Sequence, residues 1–434
     1  MVFAVDNFWM PFTDNRRYKA TPRLLASASG CYYRDAQGHS VLDGTSGLWC
    51  VNAGHGREPI VEAIQKQAAL LDFAPTFQLG HPLAFELAEA LQEIFPAGID
   101  RFFFSGSGSE AVDTALKIAF VYHAARGEPQ RQHLVGRMRG YHGVGFGGIS
   151  VGGLPNNRRH FPLLPNVSHL SATLDVEKTA FTRGQPEWGA HLADELLQII
   201  EEHGAQSIAA VIVEPLSGSA GVLVPPVGYL ERLRAITEAH GILLIFDEVI
   251  TGFGRLGSAT AAERFGIKPD IICTAKGLTN GAVPMGCVGV REEIYDTVIG
   301  NSGPGIEFFH GYTYSGHPLA AAAGLATLGV YSDESLFARA AAMEGSFEEA
   351  VHRLADAPHV IDVRNLGMVA GIELAPRPDA PGERATELFH ACFDAGVLIR
   401  VTGDIVALSP PLIIAEEQVD QIVSTIAEKL QLIA

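Results

Sequence analysis

The sequence predicts an α/β protein with a mostly parallel central sheet, helices on both faces, and a small α+β domain built from both chain ends. Three observations predict it. Short β-branched runs alternate with amphipathic helical patterns through the middle of the chain, as strand–helix–strand units require. Glycine-rich or charged residues follow several of these runs, at the strand ends where open α/β sheets bind ligands. The two ends of the chain carry shorter strand-like pieces and break the alternation.

In chain order, Gly30 to Arg34 and Ser40 to Leu42 read as short strands within residues 1–50. Arg101 to Phe104 reads as a strand, followed by a helical pattern with Val112, Ala115, Leu116 and Ala119 on one face. Leu192 to His203 reads as a helix with Leu192, Leu196, Ile199 and Ile200 on one stripe. Ser207 to Val213 is a buried strand, Tyr229 to His240 a helix and Gly241 to Phe246 another strand. Asp270 to Thr274 and Gly286 to Val290 follow as strands. An Ala-rich helix, Pro318 to Tyr331, opens the C-terminal part, which continues with strands Val360 to Val363 and Val369 to Leu374 and a last helix, Glu416 to Leu432. The expected division is residues 51–318 as the large domain, with 1–50 and 319–434 forming the small one.

Composition narrows the function. The formal net charge of −18 repels phosphate backbones and anionic lipid, which argues against nucleic acid as a partner. No stretch approaches the roughly 18 apolar residues of a membrane span. Met1 to Met10 lacks a basic n-region and an apolar h-region, so a signal peptide is not expected. The five cysteines show no CxxC spacing and are odd in number, which fits free thiols in a reducing cytoplasm. Neither an HExxH nor a CxxC ligand pattern marks a metal site. Gly143 to Gly148 fits GxGxxG, yet no clear helix opens there and no acid follows at the spacing of the dinucleotide fingerprint.

Three strand ends carry chemistry. Ser105-Gly106-Ser107-Gly108-Ser109-Glu110 is a Gly/Ser turn opening a helix, where outward N–H groups and the helix dipole favour a phosphate; a capped helix after a loop is the plain structural alternative. Asp247-Glu248 closes an apolar strand; a buried carboxylate there needs a cationic partner, unless it is a turn acid or helix cap. Ala275-Lys276-Gly277 ends another. A partly desolvated lysine becomes nucleophilic, while one snorkelling to the rim does not. Glu214-Pro215 and Tyr141-His142-Gly143 lie at the same edge. Together they supply a phosphate anchor, an acid to face a pyridinium and an amine for an aldehyde, the set that pyridoxal 5′-phosphate (PLP) needs.

The chain resembles the fold type I, class III PLP-dependent aminotransferases nearly end to end. The resemblance is carried by Leu243-Leu244-Ile245-Phe246-Asp247-Glu248-Val249-Ile250-Thr251-Gly252-Phe253-Gly254-Arg255, with Ser107-Gly108-Ser109-Glu110, Gly140-Tyr141-His142-Gly143, Ala275-Lys276-Gly277 and Gly311-Tyr312-Thr313-Tyr314-Ser315-Gly316-His317-Pro318. Trp9 to Thr13, Gly47 to Cys50 and Glu214 to Pro226 resemble the ω-amino acid:pyruvate, or β-alanine:pyruvate, transaminases.

The resemblance implies roles for single residues. Lys276 would hold PLP as a Schiff base and shuttle the proton, and Asp247 would keep the ring nitrogen protonated. Gly108 and Ser109 would hold the phosphate, and Tyr141 and Val249 would cover the two ring faces. His142 and Glu214 would complete the cofactor site. Thr313 would reach the cofactor of a partner subunit, so a homodimer or homotetramer is implied. Phe12, Trp49, Phe77 and Ser219 would wall the substrate pocket, and Arg400 would bind a substrate carboxylate. The sequence departs from the family at Gly106, where Asn or Asp is usual, and at Phe12, where some relatives have Tyr. The expected reaction moves the amino group of an ω-amino acid or primary amine, β-alanine first, to pyruvate. A 4-aminobutyrate-type transaminase, an aminomutase or decarboxylase on the same scaffold, and a non-catalytic PLP-binding protein are the alternatives.

Overall fold

The computed structural model describes residues 5–433. Its centre is a seven-stranded sheet in the order Ile99–Ser105, Gly286–Arg291, Ile271–Thr274, Leu243–Asp247, Ile208–Val213, His133–Arg137, Val167–Leu170. Every residue of Ile208–Val213, Leu243–Asp247 and Ile271–Thr274 is buried, which is why these strands read as continuous apolar runs.

Alternate side chains feed two cores, following the two-residue period of a strand. Ala210, Ile212, Leu243, Ile245 and Cys273 pack with Val112, Ala115, Leu116 and Ala119 of the helix Gly108–Ala125. Val211, Val213, Leu244, Phe246 and Ile272 face the opposite way, with Leu230, Leu233 and Ile236 of the helix Tyr229–Ala239. The helix-on-both-faces expectation is met.

The sheet is parallel from Val167–Leu170 through Ile271–Thr274. Gly286–Arg291 runs antiparallel to both its neighbours. A parallel return needs a crossover of a dozen or more residues, usually a helix. The link 275–285 holds only the 3₁₀ turn Lys276–Thr279, so the chain doubles back. The expected helix from Leu192 starts as a 3₁₀ turn, Ala190–Asp194, and becomes α-helical over Glu195–His203.

A helix does open in the glycine-rich stretch, over Phe146–Val151, contrary to the sequence reading. Gly148 N–H donates to Asp113 Oδ1 at 2.8 Å. A Cβ on Gly145 would come within 2.2 Å of Asp113, and one on Gly148 within 2.2 Å of the His142 carbonyl. These glycines serve close packing on the helix Gly108–Ala125.

Both chain ends share one sheet. Leu25–Ser29, Tyr32–Asp35 and Ser40–Asp43 are joined by Val397–Leu398, which lies parallel to Ser40–Asp43. A further sheet, Val360–Leu366, Val369–Leu374, Ile405–Leu408 and Arg400–Thr402, is antiparallel throughout. This shared packing supports our proposal that residues 1–50 and 319–434 form one small domain beside 51–318. Among the described residues no helix is long and apolar enough to cross a membrane.

Candidate active site

The carboxyl ends of the parallel strands open into a cavity of about 140 Å³ lined by Gly108, Ser109, Tyr141, His142, Gly143, Glu214, Asp247, Val249, Ile250, Ala275 and Lys276. Eight of the sequence-derived site residues therefore meet in one place. All follow strands, and Gly108 and Ser109, just past the strand Ile99–Ser105, also open the helix Gly108–Ala125.

The strand Ile271–Thr274 delivers Lys276 two residues past its end. Lys276 has φ of 49°, a left-handed backbone that non-glycine residues seldom hold and that concentrates at functional sites. Gly277 beside it packs where a Cβ would meet Asn52 Nδ2 at 2.8 Å, which keeps the turn tight. Desolvation holds the Lys276 ammonium below the usual lysine range, against the opposing pull of the Asp247 charge. A lowered lysine pKa enlarges the neutral, nucleophilic fraction.

Asp247 is buried. Its Oδ2 lies 2.8 Å from His142 Nδ1, and its Oδ1 accepts the Val249 N–H at 3.1 Å. His142 Nε2 is buried with no hydrogen-bond partner. His142 thus lines the cavity while it orients the carboxylate. Glu214 accepts the N–H groups of Tyr141 at 2.9 Å and Gly218 at 3.2 Å. Burial pushes its carboxyl up, with the Asp247 charge adding to the effect. Burial likewise raises the Tyr141 phenol.

The helix N-terminus makes a cradle. Ser107 caps it by accepting the Glu110 N–H at 3.2 Å, and Ser109 Oγ accepts the Val144 N–H at 3.1 Å. A Cβ on Gly143 would fall 2.4 Å from Ser109 Oγ, and one on Gly108 3.0 Å from the Val249 methyls. Gly106, the departure from the family pattern, donates its N–H to Glu110 Oε2 at 2.6 Å; the Glu110 carboxylate thus orders the loop.

Glu248, next to Asp247, serves a different purpose. Its carboxylate accepts the N–H groups of Ala261 and Ala262 and so caps the helix Ala261–Phe265. Burial nevertheless pushes its pKa up to about 7 from 4.5. The folded chain therefore holds a proton that the unfolded chain releases. The stability this provides is complete below about pH 4.5 and is lost as the pH rises to about 7, a change on the order of 3 kcal/mol. We expect the wild type to lose denaturant resistance over this interval relative to Glu248→Gln; parallel curves for the two proteins would rule this out.

The remaining expected site residues lie elsewhere. Arg400, on the strand Arg400–Thr402, is half-buried and has no hydrogen-bond or ion-pair partner among the described residues. It interacts electrostatically with both Lys276 and Tyr141, so it stands near the cavity. Trp49 is 2% exposed, packs against Ile250 and Leu216, and leaves its indole N–H without a partner. Ser219 is half-buried on the loop after Glu214. Phe12, at 78% exposure, is on the surface. Phe77 lines a separate cleft with Phe308, Phe309 and His310. Thr313 is exposed on the neighbouring segment. Within one chain, Phe12, Phe77 and Thr313 do not line the cavity with Lys276.

Sequence reasoning missed Arg137. It is fully buried and donates to the Glu214 carbonyl at 2.6 Å and Ser217 Oγ at 2.7 Å. The signal was available, since Arg137 ends a buried strand just as Asp247 does.

Comparison with known proteins gives the same picture. The family model "Aminotransferase class-III" matches residues 13–430. The chain is 63% identical to an omega-aminotransferase of Caulobacter vibrioides, over 98% of this chain and 97% of that one. It is 48% identical to the beta-alanine–pyruvate aminotransferase of Pseudomonas aeruginosa, over 98% and 96%. The crystal structure of the omega transaminase of Pseudomonas jessenii in complex with PMP superposes with a TM-score of 0.93 at 33% identity, covering 98% of this chain and 96% of that one. That of an (S)-enantioselective omega-transaminase from Thermomicrobium roseum gives 0.92 at 36%, with the same coverage.

Proposed function

The chain belongs to the class III aminotransferases, and we propose that within that family it carries the amino group of an ω-amino acid, β-alanine first, to pyruvate with PLP as cofactor. The observation that carries this reading is the lysine with a lowered pKa in one cavity with a buried carboxylate and a helix N-terminus. The residues present fit the cofactor. The helix Gly108–Ala125 opens at the cavity with Gly108 and Ser109 on its wall, where a phosphate suits the unpaired N–H groups, and Asp247 offers a buried carboxylate fixed by two hydrogen bonds.

In this reading Gly108 and Ser109 hold the phosphate, and Asp247, oriented by His142, faces the ring nitrogen. Tyr141 and Val249 confine the ring, with Glu214 fixing Tyr141 through its backbone N–H. When bound, PLP supplies an aldehyde that condenses with amines and a ring that takes up the electrons released at the donor carbon. Lys276 Nζ, whose proton affinity burial lowers, would take the proton from the donor carbon and return it to the cofactor's aldehyde carbon within the same half-reaction, and the other half would run this transfer in reverse. The apolar side chains of Val249, Ile250 and Ala275 exclude water around that amine.

The choice of donor rests on Arg400. A half-buried guanidinium without a partner among the described residues suits a carboxylate arriving with the substrate. The name of the Pseudomonas aeruginosa relative supports the same donor and acceptor, and that of the Caulobacter relative the same class of donor. Arg400→Ala should raise KM about 100-fold for β-alanine and for pyruvate, as loss of a charge-assisted pair implies. The half-reaction with an amine lacking a carboxylate should stay near the wild-type rate. Equal losses for both kinds of donor would refute the assignment.

Thr313 and Phe77, exposed in one chain, are proposed to meet the cofactor and substrate of a partner subunit in a homodimer or a larger assembly. The five free cysteines support a cytoplasmic setting. The direct test is spectroscopic. The yellow protein should bleach on adding excess β-alanine without acceptor, and pyruvate should restore its colour with formation of alanine. A yellow protein indifferent to β-alanine would exclude this donor, and a colourless one after added PLP would exclude the reading as a whole.

A further inference from the structure

The loop after the buried strand Ile208–Val213 is held in an unfavourable shape from outside the cavity. Ser217 and Leu223 exchange backbone hydrogen bonds at 3.1 and 2.9 Å, closing a tight hairpin with Ser219 inside it. At its end Gly221 has φ of 105° and Val222 φ of 59°. A β-branched residue in the left-handed region is a genuine outlier and persists only where its surroundings over-determine it.

Two arginines do so. Arg139 Nη2 donates to the Ala220 carbonyl at 3.0 Å. Arg364 Nε donates to the carbonyls of Gly221 and Val222, each at 3.0 Å, and its Nη2 donates to Gly221 again at 2.7 Å. Three successive carbonyls are thereby fixed by two charged donors. Arg364 is 3% exposed, and its remaining amine pairs with Asp362 and Glu373. It stands on the strand Val360–Leu366 of the C-terminal sheet. The adjacent strand approaches so closely that a Cβ on Gly371 would sit 2.6 Å from the Gly221 carbonyl.

The inner side of the same loop touches the cavity. A Cβ on Gly218 would fall 2.6 Å from Ile250 Cδ1, and the Gly218 N–H donates to Glu214. Ile250 and Glu214 both line the cavity. The loop is therefore a strut between the C-terminal sheet and the reaction site.

We propose that Arg364 and Arg139 are positioning residues: by clamping the carbonyls of Ala220 to Val222 they fix the loop that carries Ser219, and with it the size of donor that fits. The second half of this statement rests on the reading of Ser219 as a wall of the donor pocket. Neither arginine touches substrate in this account; each acts through the loop.

Two variants separate the clamp from general folding. Arg364→Lys keeps a cation beside Asp362 and Glu373 but loses the fork that spans two carbonyls. Arg139→Met removes a half-buried side chain whose bond is to one carbonyl. Hydrogen–deuterium exchange of the PLP-loaded proteins should rise at least about tenfold in the amides of residues 217–223, the change expected for losing a charge-assisted hydrogen bond, and stay level in the central sheet. The ratio of kcat/KM for 1-phenylethylamine over β-alanine should shift by a similar factor in both variants, with the visible band of the bound cofactor unchanged. Unaltered exchange in the loop, or a rise shared by the whole protein, would overturn the clamp. Faster loop exchange with an unaltered donor ratio would overturn its role in selectivity. If the wild type turned over neither amine, the function proposed above would fall, and the exchange result would still decide the clamp.

Discussion

Lys276→Ala is expected to lower transamination by at least about 10⁴-fold, because one amine supplies both the nucleophile and the proton carrier. The geometry makes this a demanding test. Among the described residues Lys276 is the single lysine lining the cavity, and its neighbours there offer no second amine. A soluble primary amine such as methylamine should restore part of the proton transfer in the alanine variant, since it can enter the space vacated by the side chain. Arg in its place should be inert and beyond rescue, as a guanidinium stays protonated at all working pH values. Lys276 also occupies the left-handed backbone region. Lys276→Gly should therefore be more stable than Lys276→Ala by about 1 kcal/mol, measured by denaturant unfolding. The same backbone conformation that aims the amine would then be visible as stored strain. Turnover near the wild-type level in the alanine variant would remove Lys276 from the chemistry.

How much of this was legible in the sequence depended on local signals. Asp247, Lys276 and Glu214 were found because each ends a run of apolar residues that can only be a buried strand, and strand ends are where such a sheet presents its chemistry. The helix Gly108–Ala125 was equally legible from Val112, Ala115, Leu116 and Ala119 on one stripe. Arg137 passed unnoticed because its strand, His133–Arg137, contains only a short apolar core. The helix at Phe146–Val151 was illegible for a different reason. Its glycines are poor helix formers, and the turn is held by Asp113 from another helix, a tertiary contact with no local signature. The reversed strand Gly286–Arg291 could have been foreseen from the shortness of the link before it. The positions of Phe12 and Phe77 could not, since a family motif names a residue but leaves open which chain's cavity it faces. That the Gly106 N–H is held by Glu110, four residues on, is likewise something no pattern of residue types alone declares.

Asp247→Asn should reduce kcat about 10³-fold, the scale set by removing one partner of a buried charge pair, while leaving the fold in place. Asp247 is held from two directions, by His142 Nδ1 at 2.8 Å and by the Val249 N–H at 3.1 Å. Its acidic neighbours Glu214 and Glu248 are both pushed toward their neutral forms, by burial first and then in part by the charge on Asp247. Of the two carboxylates that line the cavity, Glu214 and Asp247, burial thus disfavours the charged form of Glu214, which is bound up with the N–H groups of Tyr141 and Gly218. An asparagine preserves shape and the Val249 contact but removes the charge of Asp247, so the loss should fall on kcat more than on KM. His142→Gln, which keeps the charge and loosens its orientation, should cost only about tenfold. The split matters more than either value. If saturating PLP restored the asparagine variant to full turnover, Asp247 would be an anchor for the cofactor alone. If the defect persists at saturation and the histidine variant lies between the two, the charge and its alignment both belong to the reaction itself.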